Sequence, residues 1–123
     1  MIENIRKFQA GPDPFGRMWD VEFRWLQTAI SIRHSDSVDV KWEIRCGDEV
    51  LEKVVALMHP HLLKLSKAAG RPLTDPWCMK LAAAHLIRMI ETAEDFEKTL
   101  VTVTYEQLEE YNAKLDSLVG AAH

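Results

Sequence analysis

Residues 38–45 of the chain, VDVKWEIR, decide the fold because apolar and charged side chains alternate there without a break. Alternation with a period of two predicts a β-strand with one buried and one solvent-facing side. Residues 19–25, WDVEFRW, show the same alternation, and the polar residues 34–37 between the two stretches favour a turn. The pattern therefore predicts an antiparallel hairpin or a three-stranded meander over residues 18–46.

The alternation changes phase after Trp25, where Leu26, Ile30 and Ile32 carry the apolar side. A β-bulge or a break into two strands would restore the register, since each moves the following side chains to the other face. The alternative is a strand that is buried on both faces in this middle portion.

Tryptophan is frequent in this segment, and the alternation points Trp19, Trp25 and Trp42 towards the inner face of the predicted sheet. Large aromatic side chains in such positions are most often part of the core. The functional alternative is an aromatic-walled pocket or a face that packs against a partner.

Residues 1–17 precede the first predicted strand and form a lead-in arm. Gly11, Pro12, Pro14 and Gly16 interrupt any regular element there. Apolar residues before them have helical spacing, so a short helix and an extended docked arm both remain open.

Beyond Gly47 the apolar period becomes helical. Asp48 is a candidate N-cap, and the pattern predicts a helix that ends near Met58. A second helix is predicted from Pro60 to about Ala69, because proline suits the first turn of a helix and Gly70 suits its end. Three further elements are predicted. A helix starts at Asp75 and Pro76 and ends between Ala93 and Lys98, and a short strand follows over 99–104. The last helix starts with a capping box of Thr104 and Gln107 and ends at Gly120.

This order predicts an α+β fold, in which a small antiparallel sheet is packed by about four helices. The 123 residues suit a single domain, 1–123, made of the arm 1–17, the hairpin or meander 18–46, and a mainly helical part 47–123. The later short strand can return to an edge of the sheet.

Composition limits the classes of partner. The net charge of −4 and the scattered basic residues favour no binding to nucleic acid. The apolar stretches are too short for a membrane span, and the N-terminal residues do not resemble a signal peptide. Two free cysteines suit a reducing compartment, so we expect a cytoplasmic protein.

Cys78 is the residue that most suggests chemistry. It falls in the first turn of the helix that begins after Asp75, where unpaired backbone N–H groups and the helix dipole favour a thiolate. The alternative is a small buried side chain at the start of an apolar stripe. His85 lies on the same face about 10 Å further along the helix, as a core histidine or as a pocket-lining residue.

His59, His61 and Trp77 are candidates for binding a ligand near the same helix start. The two histidines flank Pro60 and have neither of the spacings that usual metal-binding pairs adopt on a helix or a strand. We therefore expect no metal and no cofactor.

The sequence has no glycine-rich phosphate loop and no nucleophile or zinc-protease motif. This favours a non-catalytic protein-interaction or regulatory module, with a protein partner or a second copy of the chain at a sheet edge. The alternative is a small-molecule-binding or thiol-dependent enzyme site near the start of the helix that carries Cys78.

Overall fold

The computed structural model describes residues 5–29 and 36–119. In this part of the chain, five strands and three helices form a single α+β domain, with the bounds that follow. They are β1 (Lys7–Ala10), β2 (Trp19–Ala29), β3 (Ser37–Cys46), β4 (Glu49–Met58), α1 (His59–Ala69), α2 (Asp75–Thr92), β5 (Leu100–Val103) and α3 (Tyr105–Val119). Residues 34 and 35 of the predicted turn, and Gly120 as the predicted end of the last helix, lie outside the described residues.

The strands follow one another across the sheet in the order β1-β2-β3-β4-β5. Successive strands from β1 to β4 pair antiparallel, whereas β5 runs parallel to β4. The expected small antiparallel sheet with about four helices is therefore wrong. The sheet is mixed and has five strands, and the described residues form three helices.

β4 accounts for most of this correction, because residues 49–58 are a strand where the sequence predicted a helix. A two-residue turn of Gly47 and Asp48 connects it to β3, with Gly47 at a φ of 60°. Glycine adopts this left-handed conformation without a steric penalty and favours a tight hairpin. β3 then supplies a free edge along its whole length, and ten residues of β4 pair with it.

Of the two alternatives for the arm, the structure shows the extended docked form. Lys7–Ala10 is an edge strand that pairs with residues 19–22 of β2. The hairpin of β2 and β3 is confirmed, and a bulge shifts the register between Phe23 and Trp25. The bulge places Trp25 opposite Lys41 on the solvent-facing side, so its predicted inward direction is wrong.

The core lies between one face of the sheet and the helices. α1 and α2 contact the sheet, and α3 packs against both of them. Trp19 and Trp42 are completely buried on the inner face, as predicted. α2 is the central helix, with ten buried residues, and its N-cap is Thr74 rather than Asp75. Ala93 is its C-cap, so it ends at the near limit of the predicted range.

The outer face of the sheet carries a ladder of charged pairs, among them Arg24 with Glu43 at 2.7 Å and Lys41 with Glu52 at 2.8 Å. Cross-strand pairs of opposite charge suit a face that meets water. None of the helices in the described part of the chain has the length and apolar content that a membrane crossing requires.

Candidate interaction surface

Cys78 lies in the first turn of α2, and its side chain is buried at 2% exposure. Burial raises the pKa of its thiol to about 11, and the nearby Asp75 carboxylate acts in the same direction. These effects outweigh the helix dipole, since a thiolate loses more by desolvation than it gains from the dipole. The geometry therefore suits a core thiol.

His85 is buried between α2 and α3, where its Nδ1 atom lies 2.7 Å from the hydroxyl oxygen of Tyr111. Burial lowers the pKa of His85, and the positive charge of Arg88 lowers it further. Burial raises the pKa of the Tyr111 hydroxyl, and the positive charge of Arg88 opposes that rise. The neutral imidazole and the hydroxyl thus form a buried polar contact that holds α3 on α2.

Trp77 and His61 also contact α3, at other points along the helix. The indole Nε1 of Trp77 donates to Oδ1 of Asn112 at 3.0 Å. The ring of His61 meets the ring of Tyr105 edge-on, with 5.9 Å between centroids. Three of the five candidate site residues, counting His85, therefore fasten the last helix to the rest of the core.

His59 is the first residue of α1 and is half-buried. The candidates are divided between two helices, with His59 and His61 on α1 and the other three on α2. Among the described residues, no group of three or more histidine, cysteine or acidic side chains is placed to hold a metal ion.

A surface groove of about 500 Å³ lies beside the buried His85–Tyr111 contact. Its wall is made by Ala84 and Ile87 of α2, and its rim carries charges of both signs. Arg88 lies 3.4 Å from Glu94 and 3.8 Å from Glu110, so the rim charges compensate one another. The groove has no strong electrostatic preference for a ligand.

The loop between β1 and β2 is organised by a buried carboxylate, that of Asp13. Its Oδ1 accepts hydrogen bonds from the backbone N–H groups of Phe15 and Arg17, at 2.9 and 2.8 Å. Its Oδ2 accepts from Nε of Arg17 at 2.8 Å and from the indole N–H of Trp19 at 3.1 Å. Burial alone would raise the pKa of Asp13, but these hydrogen bonds outweigh it and lower the pKa to about 2.

Phe15 projects from this loop with 80% of its surface exposed. The guanidinium of Arg17 lies 5.6 Å from the Phe15 ring and 5.0 Å from the ring of Trp19. Since Trp19 is completely buried, Arg17 connects the exposed ring to the core. Met18 adds a second exposed apolar side chain beside them.

The loop is joined to the start of β4, because Nη1 of Arg17 lies 3.2 Å from the carboxylate of Glu49. On the edge of β4 that faces away from β3, the neighbouring strand β5 begins only at Leu100, which lies opposite Val54. The first half of β4 therefore borders a groove of about 500 Å³ instead of a strand. We call the loop 11–18 and the adjoining residues 49–53 of β4 the open end of the sheet.

Sequence reasoning did not select Asp13, Phe15 or Arg17 as functional residues. The loop was predicted correctly as irregular from Gly11, Pro12, Pro14 and Gly16. These residues did not indicate that one carboxylate would hold the loop in a single conformation. A stronger signal was present in an aspartate two residues before Phe15, because aspartate side chains commonly accept from backbone N–H groups that follow them.

Comparison of the chain with protein-family models, with curated proteins and with solved structures finds no match in any of the three.

Proposed function

We propose that the protein is a protein-interaction module that binds its partner at the open end of the sheet. The observation that carries the proposal is Phe15, an aromatic side chain that is 80% exposed on a loop fixed by the hydrogen bonds of Asp13. A fixed aromatic anchor loses little conformational entropy on binding. Aromatic and arginine side chains are also the residues that most often dominate binding energy at interfaces.

The neighbours of Phe15 define the chemistry of the partner. The ring itself calls for an apolar pocket, and Arg17 beside it favours carboxylates at the rim of that pocket. Arg17 is partly exposed even though Asp13 and Glu49 both contact it. We infer a different protein rather than a second copy, since each copy carries a net charge of −4 and two copies repel one another.

The thiol-enzyme alternative gains no support from the geometry. A thiol buried at 2% exposure, with its pKa raised by burial, is neither accessible nor ionised near neutral pH. The indole N–H of Trp77 is bonded to Asn112 and the ring of His61 packs against Tyr105, so both ligand candidates contact α3.

The test uses a photo-crosslinking amino acid at position 15 and, as a matched control, at position 63 in the source cells. Leu63 is also an exposed apolar residue, at 44%, but it lies on α1. We expect a discrete adduct from position 15 that position 63 does not give. Equal adduct patterns from the two positions would overturn the proposal.

The partner identified by mass spectrometry is then purified, and its dissociation constant is measured with the wild-type protein and with Phe15→Ala and Leu63→Ala. A hot-spot aromatic contributes about 2 kcal/mol or more, so Phe15→Ala is expected to weaken binding by about 30-fold or more. Leu63→Ala is expected to leave it unchanged. Equal affinity of wild type and Phe15→Ala refutes the role of Phe15, and an adduct between two copies of this chain refutes the choice of a different protein.

A further inference from the structure

β4 has an unpaired edge within the open end of the sheet, over residues 49–53. The N–H of Val54 donates to the carbonyl of Thr99 at 2.7 Å, so the even-numbered residues of β4 direct their backbone groups towards β5. The N–H groups of Val50 and Glu52 point the same way, but β5 does not extend to them. Within the described chain neither N–H has a hydrogen-bond partner.

A turn explains why β5 is short. Ala93 and Asp95 have left-handed backbone conformations, with φ of 61° and 55°, which a strand does not contain, so β5 begins only after the turn in which they lie. Lys53 spans the resulting gap, and its ammonium donates to the carbonyls of Phe96 and Lys98. The side chain of Lys53 therefore holds the 96–99 segment beside β4 and leaves the backbone edge free.

The groove along this edge is acidic. Its lining consists of two segments, residues 49–53 and the residues Phe96, Glu97 and Thr99. Glu49, Glu52 and Glu97 bring three carboxylates, and Lys53, the one cation in the lining, is buried against backbone carbonyls. Arg17 and Lys41 pair with Glu49 and Glu52 from outside the groove, but both carboxylates are about half exposed, and exposed ion pairs of this kind contribute little and can be exchanged for the cation of a partner. A partner with positive side chains satisfies this charge distribution.

We infer that the edge of β4 over residues 49–53 binds an extended, cationic segment of a partner protein as an additional strand. The backbone of such a segment pairs with the free groups of Val50 and Glu52, and this mode of recognition is common at open sheet edges. Val50 is 43% exposed on the outer face and prefers an apolar neighbour, whereas Glu52 on the same face prefers a cationic one.

A second copy of the chain does not fit this edge. Antiparallel pairing of two β4 edges brings the Glu49, Glu52 and Glu97 carboxylates of both copies into one interface, where like charges repel. The inference rests on the proposed function and specifies its partner, because Arg17 and Glu49 join the Phe15 loop to this edge.

The first experiment titrates isotope-labelled wild-type protein with a seven-residue peptide of alternating lysine and valine, followed by NMR. Backbone shifts are expected at residues 49–53. A peptide with glutamate in place of lysine is expected to bind about tenfold more weakly or worse, because it meets the three carboxylates.

Two further peptides carry N-methyl groups, one on every lysine and one on every valine. N-methylation removes the N–H groups along one edge of a strand, so the peptide that loses its pairing edge is expected to bind about 10- to 100-fold more weakly, the effect of two hydrogen bonds. The other peptide is expected to bind like the parent. Equal binding of the two would show attraction by charge alone and would overturn the inference, as would no binding of the parent peptide.

Val50→Pro and Val50→Thr provide the matched protein variants. Proline removes an N–H that makes no bond to β3, and edge strands tolerate proline there, whereas threonine keeps the N–H. We expect Val50→Pro to lose the peptide and Val50→Thr to retain it, with folding checked by thermal melting. If Val50→Pro does not fold, the inference is tested by the binding of the two N-methylated peptides to the wild-type protein alone. A crosslink from position 15 without peptide binding would leave the proposed function intact and remove this inference.

Discussion

The thiol of Cys78 is expected to react with iodoacetamide far more slowly than that of Cys46 in the folded protein. With a pKa of about 11, only about 0.1% of Cys78 is ionised at pH 8, whereas an ordinary thiol with a pKa of about 8.5 is about 24% ionised. The thiolate fraction of Cys78 is therefore about 240-fold lower than that of an ordinary thiol.

Intrinsic nucleophilicity offsets part of this difference, because a thiolate of higher pKa is a better nucleophile. With a Brønsted coefficient of about 0.45, the gain over 2.5 pKa units is about 13-fold, which leaves a net factor of about 20. The burial of Cys78 slows it further, since reagent must wait for a local opening, whereas Cys46 is half-buried at the end of β3.

The assay is alkylation at pH 8 with peptide mass mapping of the two cysteines. Both are expected to react at similar rates in denaturant, which provides the control. A Cys78 that reacts in the folded protein as fast as Cys46, or faster, would refute the burial argument and restore a reactive thiol at the start of α2.

Three further predictions concern buried polar groups. Tyr111→Phe leaves Nδ1 of His85 without its hydroxyl partner and is expected to lower the free energy of unfolding by about 1–3 kcal/mol in urea titrations; an unchanged midpoint would contradict this. Asp13→Asn is expected to lower the melting temperature at pH 7. Because the folded-state pKa of Asp13 is depressed, the stability that its carboxylate contributes is present above about pH 4 and is lost as the pH falls to about 2. The difference in melting temperature between wild type and variant should therefore shrink over that range. Lys53→Met removes the ammonium that holds the carbonyls of Phe96 and Lys98, so amide hydrogen exchange is expected to speed up over residues 94–99 and not in α1.

The elements predicted best from sequence are those whose local signals agree with their surroundings. The strict alternation of residues 38–45 gave β3, and the box of Thr104 and Gln107 gave the start of α3, where each side chain bonds the backbone N–H of the other. Gly70 ends α1 in a left-handed conformation, as its position predicted.

β4 was missed because its pattern is ambiguous by itself. Both of its faces carry apolar residues, with Val55 and Leu57 inward and Val54 and Ala56 outward. A short apolar run of this kind fits a helix and a buried strand equally well. Pairing with the free edge of β3 selects the strand over the helix. This is a tertiary contact, and the local sequence alone does not reveal it.

The candidate site residues were chosen for their reactivity in free form, and the fold places most of them where that reactivity is suppressed. Cys78 and His85 are buried on α2, and burial moves their pKa values towards the neutral forms. The open end of the sheet depends instead on contacts between distant parts of the chain, such as Arg17 with Glu49. Spacing along the sequence cannot reveal such contacts.

The order of the strands also has a kinetic consequence. β1 to β4 are neighbours in the sequence as well as in the sheet, so their hairpins close short loops at a small entropic cost. β5 must instead wait for α1 and α2 to be in place before it reaches β4 in parallel. We therefore expect a transition state for folding built on the meander, in which the β4–β5 pairing and α3 form last.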